Sequence, residues 1–150
     1  KILYIMNYSM NLLKEYEKRI PYINTLLDGG YTSLADGTTN PTEGYIVGGL
    51  TEPTTMYAEV DGSAYPDVSA HFKAFKKLWD KYHMLLDEHQ ATYRMYKYAS
   101  GVGVGTWVHE GQIYFDLVQH LYNLDVAANI AKERGEIAIY DCKNQKDILL

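Results

Sequence analysis

The five histidines are the residues of this chain best suited to metal binding or acid–base chemistry. They are His71, His83, His89, His109 and His120. Metal-binding histidines commonly recur at short fixed spacings, as in His-Glu-x-x-His, and none of these five does. His83 and His89 are six residues apart, which directs them to different faces of a helix. The sequence therefore predicts no metal site.

Asp116 and His120 are four residues apart and would face one another only on a helix. Asp116 lies in an alternating apolar–polar segment, which is typical of a strand. We therefore expect Asp116 to make a structural hydrogen bond. One alternative function is a nucleotide-processing enzyme that uses His109 or His120 as its general base.

The glycines at positions 101, 103 and 105 superficially resemble a phosphate-binding loop. Such loops follow a strand and open a helix, whereas these glycines follow a predicted helix and lead into Trp107. They predict a flexible joint between a helix and a strand. The sequence contains no recognisable motif for a Ser-His-Asp or Cys-His catalytic arrangement. It therefore predicts no catalytic residue and no cofactor.

Carboxylates in the first half of the chain are scattered along predicted turns, as solvated side chains usually are. They include Glu43, Glu52, Glu59, Asp61 and Asp67. Nothing selects two of them as the pair that glycoside hydrolysis needs. The net charge is −5, and the chain is acidic up to residue 67, basic from 68 to 100 and acidic again beyond. Because proteins that bind duplex nucleic acid usually carry a strong basic patch, we expect no direct nucleic-acid binding.

Length and composition indicate one domain, residues 1–150, in an ordinary globular protein with 47% hydrophobic and 22% charged residues. No apolar run approaches the ~18 residues that span a bilayer, so we expect no membrane partner. The single cysteine, Cys142, fits a reducing compartment and is expected to be a buried, inert thiol. These features predict a cytoplasmic protein.

Residues 1–29 are expected to form N-terminal helices. Ser9 is a plausible N-cap, and Glu15 and Arg19 are spaced to form an ion pair on a helix. Pro21 is expected to end or kink the first helix. A second short piece is expected to stop at residues 28–30, Asp-Gly-Gly.

Residues 31–66 are rich in Thr, Gly and Pro and predict short strands around 31–34, 45–47 and 56–60. Turns at Asp36-Gly37, Pro41 and Pro53 are expected to join them. A mobile loop system is the alternative for this region.

Residues 68–100 are expected to form a long helix, starting at a cap on Asp67 or Ser69 and ending at Ser100-Gly101. Its large side chains recur at alternating spacings of three and four, which is a heptad seam. The seam consists of Phe72, Phe75, Trp79, Tyr82, Leu86, His89, Tyr93 and Tyr96. It is expected either to pack on a sheet as a core face or to pair with another chain, giving a homodimer through the 72–96 seam.

Residues 105–150 read as a ββαβ unit. An apolar strand at 106–109 is followed by a Glu110-Gly111 turn, an alternating strand at 112–117, a short amphipathic helix and a last apolar strand. The whole chain is therefore expected to be an α+β fold. It comprises a small antiparallel sheet, a long amphipathic central helix and a C-terminal β-hairpin–α–β unit.

The fifteen tyrosines favour a recognition protein, since tyrosine supplies a large amphipathic contact area at low entropic cost. An acidic, tyrosine-rich surface is suited to a basic partner. The candidate partner-binding residues lie in the acidic segment 31–66; they are Tyr45, Glu52, Tyr57, Glu59, Asp61 and Tyr65.

Four segments carry a resemblance to a known group of proteins: DGGYT (28–32), GYIVGG (44–49), GTWVHEGQIYFD (105–116) and ERGEIAIYD (133–141). This pattern resembles a loosely defined group of small bacteriophage and mobile-element accessory proteins. The resemblance covers both ends of the chain in patches, and the long Lys/Tyr-rich helix and the Thr-rich loops depart from it. It implies a protein made during infection or transfer, where inhibition of host defence is a common task, and it carries over no catalytic residue.

We therefore expect a non-enzymatic accessory protein that binds and inhibits a bacterial defence protein in the manner of an anti-CRISPR. The expected partner is a nuclease with a basic channel, in the cytoplasm of the bacterial host. A second alternative is a sponge for a defence signalling nucleotide, with aromatic rings and Arg94 or Arg134 as donors.

Overall fold

The computed structural model describes residues 1–60, 64–93 and 99–150. Three helices lie in this part of the chain: α1 (Ile2–Asp28), α2 (Val68–Tyr93) and α3 (Leu124–Glu133). It also contains seven strands: β1 (Gly30–Leu34), β2 (Tyr45–Val47), β3 (Thr54–Tyr57), β4 (Ala99–His109), β5 (Gln112–Leu121), β6 (Ala138–Asp141) and β7 (Lys146–Leu149).

The strands form one antiparallel sheet in the order β1-β4-β5-β2-β6-β7, and β3 also pairs with β5. The β4–β5 hairpin is its centre. Glu110 and Gly111 both have positive φ, 49° and 77°, as a tight two-residue hairpin turn requires. The predicted α+β fold, with a long helix and a C-terminal hairpin–α–β unit, is confirmed. Strand β7 lies beyond the elements that the sequence predicted.

One face of the sheet carries all three helices. Phe115 and Leu117 lie in the core beneath α2, and the Phe115 ring centroid is 5.0 Å from that of Phe75. Leu121 projects to the same side, since alternate residues of a strand share a face, and it packs with Ala127 of α3. The intervening side chains of β5 therefore point away from the helices.

Buried hydrogen bonds tie the last turns of α1 to this layer. Thr25 Oγ1 lies 2.6 Å from Thr106 Oγ1 of β4. The Tyr22 hydroxyl is 2.8 Å from Nδ1 of His71, and Nε2 of His71 is 2.8 Å from the carbonyl oxygen of Tyr57. Because a carbonyl can only accept, Nε2 carries the proton, and Tyr22 donates to Nδ1.

The prediction of separate N-terminal helices is wrong, because α1 is continuous from Ile2 to Asp28 and Ser9 lies inside it. The helix passes through Pro21, whose carbonyl accepts a hydrogen bond from Thr25 Oγ1 at 2.6 Å. Burial of Tyr22 and Thr25 holds the turns beyond the proline in place, so tertiary packing outweighs the lost N–H bond. The Glu15–Arg19 ion pair (3.0 Å) and the stop, with Gly29 at φ 82°, are confirmed.

The start of the central helix is confirmed and its end is wrong. Asp67 Oδ1 accepts a hydrogen bond from the backbone N–H of Ala70 at 2.8 Å, as an N-cap does. The described helix runs to Tyr93, and the predicted end at Ser100-Gly101 does not hold because the chain from Ala99 onward belongs to β4. The predicted flexible joint at residues 101–105 is therefore also wrong, since pairing with β5 makes these glycines part of a strand.

The heptad seam of α2 packs on the chain's own sheet over its first half. Phe75, Tyr82 and Leu86 are buried, and Phe72 and Trp79 are partly buried against the same cluster. The seam's remaining side chains, those of His89, Tyr93 and Tyr96, lie outside the described part. A homodimer through the 72–96 seam stays a prediction. The first half of the seam already packs in the core of its own chain.

Two of the three predicted strands between residues 31 and 66 are confirmed, as β1 and β2. The third lies at Thr54–Tyr57, two residues before the predicted start at 56, because Thr54 pairs with Phe115 of β5. The alternative of a mobile loop system does not describe these paired segments.

Gly103→Ala tests the close approach of β1 to β4. A Cβ at this position would meet the Ser33 carbonyl oxygen and lie 2.9 Å from the Leu34 Cα, both backbone atoms. We expect a loss of about 2–3 kcal/mol in the free energy of unfolding, since β1 must move. Denaturant unfolding followed by circular dichroism measures it.

The matched control is Gly101→Ala, because nothing lies within 4 Å of its Cβ position. It should be neutral or stabilising by a few tenths of a kcal/mol, as for glycine replacement in a strand without strain. Equal losses in the two variants would contradict the steric explanation.

Candidate functional site

A gap in strand pairing along one edge of β5 creates the candidate site. Val47, the last residue of β2, pairs with Gln119, and Thr54, the first residue of β3, pairs with Phe115. Six residues, 48–53, therefore stand opposite only three, 116–118. The loop at residues 48–53 must leave the sheet edge, and it does so beside Asp116.

Asp116 holds this loop in place. Its Oδ2 accepts a hydrogen bond from the backbone N–H of Gly49 at 2.6 Å, and its Oδ1 accepts one from Thr51 Oγ1 at 3.4 Å. The residue is 1% exposed. The expected structural hydrogen bond of Asp116 is confirmed, and its partner is the 48–53 loop, not His120.

The second wall comes from the turn between α3 and β6. Gly135 has φ 76°, which lets the chain reverse there. Arg134 donates from Nη1 to the Gly48 carbonyl oxygen at 3.3 Å and from Nη2 to Oε1 of Gln119. Arg134 thus joins the turn to the loop and to β5.

Gly48 lies between two carboxylates. The position that a Cβ would take on Gly48 is 2.8 Å from Asp116 Oδ2 and 3.0 Å from Glu136 Oε1. Asp116 and Glu136 therefore approach each other across this glycine, and any side chain there would displace one of them. Close packing of this kind is a common reason for glycine beside a polar site.

Trp107 of β4 forms the third wall. Its ring stacks on that of Tyr114, with centroids 5.3 Å apart and planes at 6°. The three walls enclose a cleft of about 410 Å³, which we call the Asp116 cleft. Its lining consists of Gly49, Leu50, Thr51, Glu52, Pro53, Trp107, Asp116, Arg134 and Glu136.

Burial controls the charge of this cleft. Desolvation raises the pKa of the Asp116 carboxyl from 3.8 to about 6; the Gly49 N–H opposes the rise, and the nearby Glu136 adds to it. At neutral pH the lining therefore carries the carboxylates of Asp116, Glu136 and Glu52 against the one guanidinium of Arg134. This is a concave, negatively charged surface with an aromatic wall, which suits a cationic group.

Of the predicted partner-binding residues that the structure describes, only Glu52 lines the cleft. Tyr57 and Glu59 are exposed at and just after the end of β3. Tyr65 packs on His71 at 5.1 Å, and Tyr45 packs on the cluster that includes α3. Asp61 lies outside the described residues.

The histidines whose side chains the structure describes lie outside the lining of the cleft. His83 packs on Trp79 at 4.8 Å, and burial lowers its pKa. His120 donates from Nε2 to the Glu43 carbonyl oxygen at 2.7 Å, whereas His109 is exposed beside Glu110. Neither candidate general base lines the cleft, and the side chain of His89 lies outside the described part.

Two further observations concern metal and thiol chemistry. Among the described residues, no group of three or more His, Cys, Asp or Glu side chains is arranged to hold a metal ion. Cys142 is buried, as expected, and burial raises the pKa of its thiol to about 11. That protonated thiol is a poor nucleophile at neutral pH.

Sequence reasoning missed Trp107 and Glu136 and named Arg134 only as a donor in the nucleotide-sponge alternative, because residues so far apart in the chain become neighbours only through strand register. One signal pointed to them. Three of the four segments that carry the accessory-protein resemblance, 44–49, 105–116 and 133–141, each supply lining residues of the cleft.

No protein-family model matches the chain, and no significant match is found among curated proteins or solved structures. Within residues 1–60, 64–93 and 99–150, no helix combines the length and apolar character needed to cross a membrane.

Asp116→Asn tests the raised pKa through protein stability. The folded chain holds the Asp116 proton up to about pH 6, while the unfolded chain releases it near 3.8. The native state therefore binds more protons between these values, and this group lowers the free energy of unfolding as the pH rises from 4 to 6. We expect the stability of the wild type relative to Asp116→Asn to fall by on the order of 2 kcal/mol across this window.

Denaturant unfolding of both chains at several pH values measures this difference. Other titrating groups are common to both chains and cancel, and an asparagine side-chain oxygen still accepts from the Gly49 N–H. A difference that stays constant with pH would show that Asp116 is ionised as readily in the folded chain as in the unfolded one.

Proposed function

We propose that this protein is a non-enzymatic binding protein whose Asp116 cleft receives an arginine or lysine side chain from a basic partner protein. One observation carries the proposal: the lining of the cleft combines the carboxylates of Asp116, Glu136 and Glu52 with the Trp107 side chain, and its one arginine donates to the Gly48 carbonyl oxygen. Carboxylates pair with the cation, and an indole ring attracts it through its quadrupole.

The position of Asp116 argues for binding, not turnover. A general acid or base must reach the substrate proton. Both Asp116 oxygens already accept hydrogen bonds from the loop at residues 48–53, and the side chain is almost fully buried. The negative charge of Asp116 still contributes to the electrostatic potential in the cleft, and this potential attracts a cation.

We further propose that the partner is a bacterial defence protein, a nuclease with a basic channel, bound in the cytoplasm of the host. The acidic balance of the chain supports this, as does the accessory-protein resemblance of the segments that meet at the cleft. Glu52 lies just before β3, and the last residue of β3, Tyr57, is exposed. The strand therefore connects the acidic cleft to an exposed aromatic side chain, and both can contact the same partner.

The double variant Glu52→Gln/Glu136→Gln tests cation recognition. We expect the affinity for a short arginine-rich peptide, measured by isothermal titration calorimetry, to fall by about tenfold or more, because two charged partners are lost. Glu17→Gln/Glu133→Gln is the matched control, since it removes the same two negative charges from exposed residues outside the lining. If both proteins lose affinity equally, general electrostatics and not the cleft binds the peptide.

The cellular role is tested separately, by pull-down from a bacterial host that carries nuclease-based defence systems. We expect the wild type to retain a nuclease and to reduce its DNA binding, and Glu52→Gln/Glu136→Gln to do neither. Unchanged DNA binding and cleavage by every retained nuclease would overturn the anti-defence proposal and leave the peptide result standing.

A second function, a small-molecule sponge, is favoured by the shared position of Arg134 and Trp107 in a cleft of about 410 Å³, within the usual size range of ligand sites. The three carboxylates oppose an anionic nucleotide there, and Arg94, the other predicted donor, lies outside the described residues. Thermal-shift screening against cyclic nucleotides distinguishes the two functions. A protein blocker should show no shift, whereas a sponge should show several degrees at saturating ligand.

A further inference from the structure

The first two-thirds of helix α1 extend beyond the core. Every residue from Lys1 to Lys18 is exposed, and Arg19, whose guanidinium lies 4.6 Å from the Phe72 ring centroid, is the first residue of the helix that is partly buried. Yet residues 2–13 carry no charged side chain. Large exposed apolar patches generally mark interaction surfaces. We therefore expect another molecule to cover this part of the helix.

Apolar side chains cover most of the circumference of the protruding segment, and five positions form one line on the side opposite the core. Ile2, Ile5, Ser9, Leu12 and Tyr16 recur at spacings of three and four, the heptad pattern of helix pairing. The four large members are 76%, 60%, 55% and 57% exposed, in chain order. We call these five positions the α1 stripe.

The chain's own sheet does not cover the α1 stripe. Thr25 and Tyr22, which face the core, fall on a helical line that continues through Lys18, Lys14, Asn11, Asn7 and Tyr4. This side of the protruding segment is therefore mostly polar, with Tyr4 as its one large ring. The α1 stripe lies on the opposite side, away from the domain.

We propose that the α1 stripe binds the α1 stripe of a second copy of this chain, in an antiparallel pair that crosses at Ser9. The stripe is symmetric about this small residue, with Ile5 and Leu12 on either side of it and Ile2 and Tyr16 at its ends. An antiparallel pair places Ile2 of each copy beside Tyr16 of the other, which makes the contact self-complementary. It also puts the two domains at opposite ends, where they do not collide.

The size of the surface supports a second copy as the occupant. The stripe is flanked by Met6 and Leu13, which are 58% and 50% exposed. Covering stripe and flanks on both copies buries on the order of 1,200 Å², the lower bound of a specific protein interface. A membrane surface suits the protruding segment less well, since interfacial helices carry a strongly charged polar face, whereas residues 2–13 carry no charged side chain.

Sedimentation velocity of the 150-residue chain tests the proposal. We expect a dimer at about 100 µM that dissociates on dilution. The double variant Ile5→Glu/Leu12→Glu should be monomeric, with an unchanged near-ultraviolet circular dichroism spectrum because both side chains are exposed in the single chain. Asn11→Glu, which adds a charge on the opposite side of the same helix, should remain dimeric.

Disulfide trapping tests the geometry. Cys142 is buried, so an introduced cysteine is the reactive one. Ser9→Cys should give a covalent dimer on mild oxidation, and Asn11→Cys should not. A mixture of Ile2→Cys and Tyr16→Cys chains of different mass should cross-link one with the other.

Three results would overturn the proposal. These are a wild type that stays monomeric at about 100 µM, an Asn11→Glu chain that dissociates as fully as the stripe variant, and Ile2→Cys chains that link only to each other. A monomer that floats with phosphatidylcholine–phosphatidylglycerol vesicles would assign the stripe to a membrane surface instead.

Discussion

The antiparallel pairing of β4 with β5 is the constraint on which the rest of the structure depends. It runs from Ala99 to His109 on one strand and fixes which side chains of β5 face the helices. Phe115 and Leu117 then form the floor under α2, while Asp116, between them, must point to the other face. A shift of one residue would exchange these roles and place a carboxylate in the apolar core. The core and the cleft are thus two consequences of one register.

The two long helices show that a heptad pattern does not by itself identify an intermolecular surface. Both α1 and α2 carry large side chains at spacings of three and four. In α2 the described half of this seam is covered by the sheet, and Phe75 and Tyr82 are fully buried. In α1 the corresponding stripe faces away from the domain. Periodicity predicts which residues share a helix face, whereas the placement of the helix decides whether this chain or another molecule covers that face.

Features set by local chemistry can be predicted from the sequence. The Glu110-Gly111 turn, the Asp67 cap and the Gly29 stop depend on a few adjacent residues, and the structure contains them. The glycines at 101–105 and the proline at 21 mislead, since their local preference is outweighed by strand pairing in one case and by burial of neighbouring side chains in the other. The cleft cannot be predicted from short stretches of sequence, because its walls come from three distant segments. The space itself is created by a gap between the two short strands β2 and β3.

The buried carboxylate of Asp116 is the strongest argument that this cleft has a function. An asparagine oxygen at this position would accept the Gly49 N–H without the desolvation that raises the carboxyl pKa. If Asp116 only anchored the loop, its ionised form would therefore make the fold less stable at neutral pH than a neutral side chain would. What the charge adds is a negative potential in a cleft that Glu136 and Trp107 also line. The cation of the proposed function would offset the unfavourable energy of the buried anion, so the affinity of the site would come from the same charge that lowers the stability of the fold by itself.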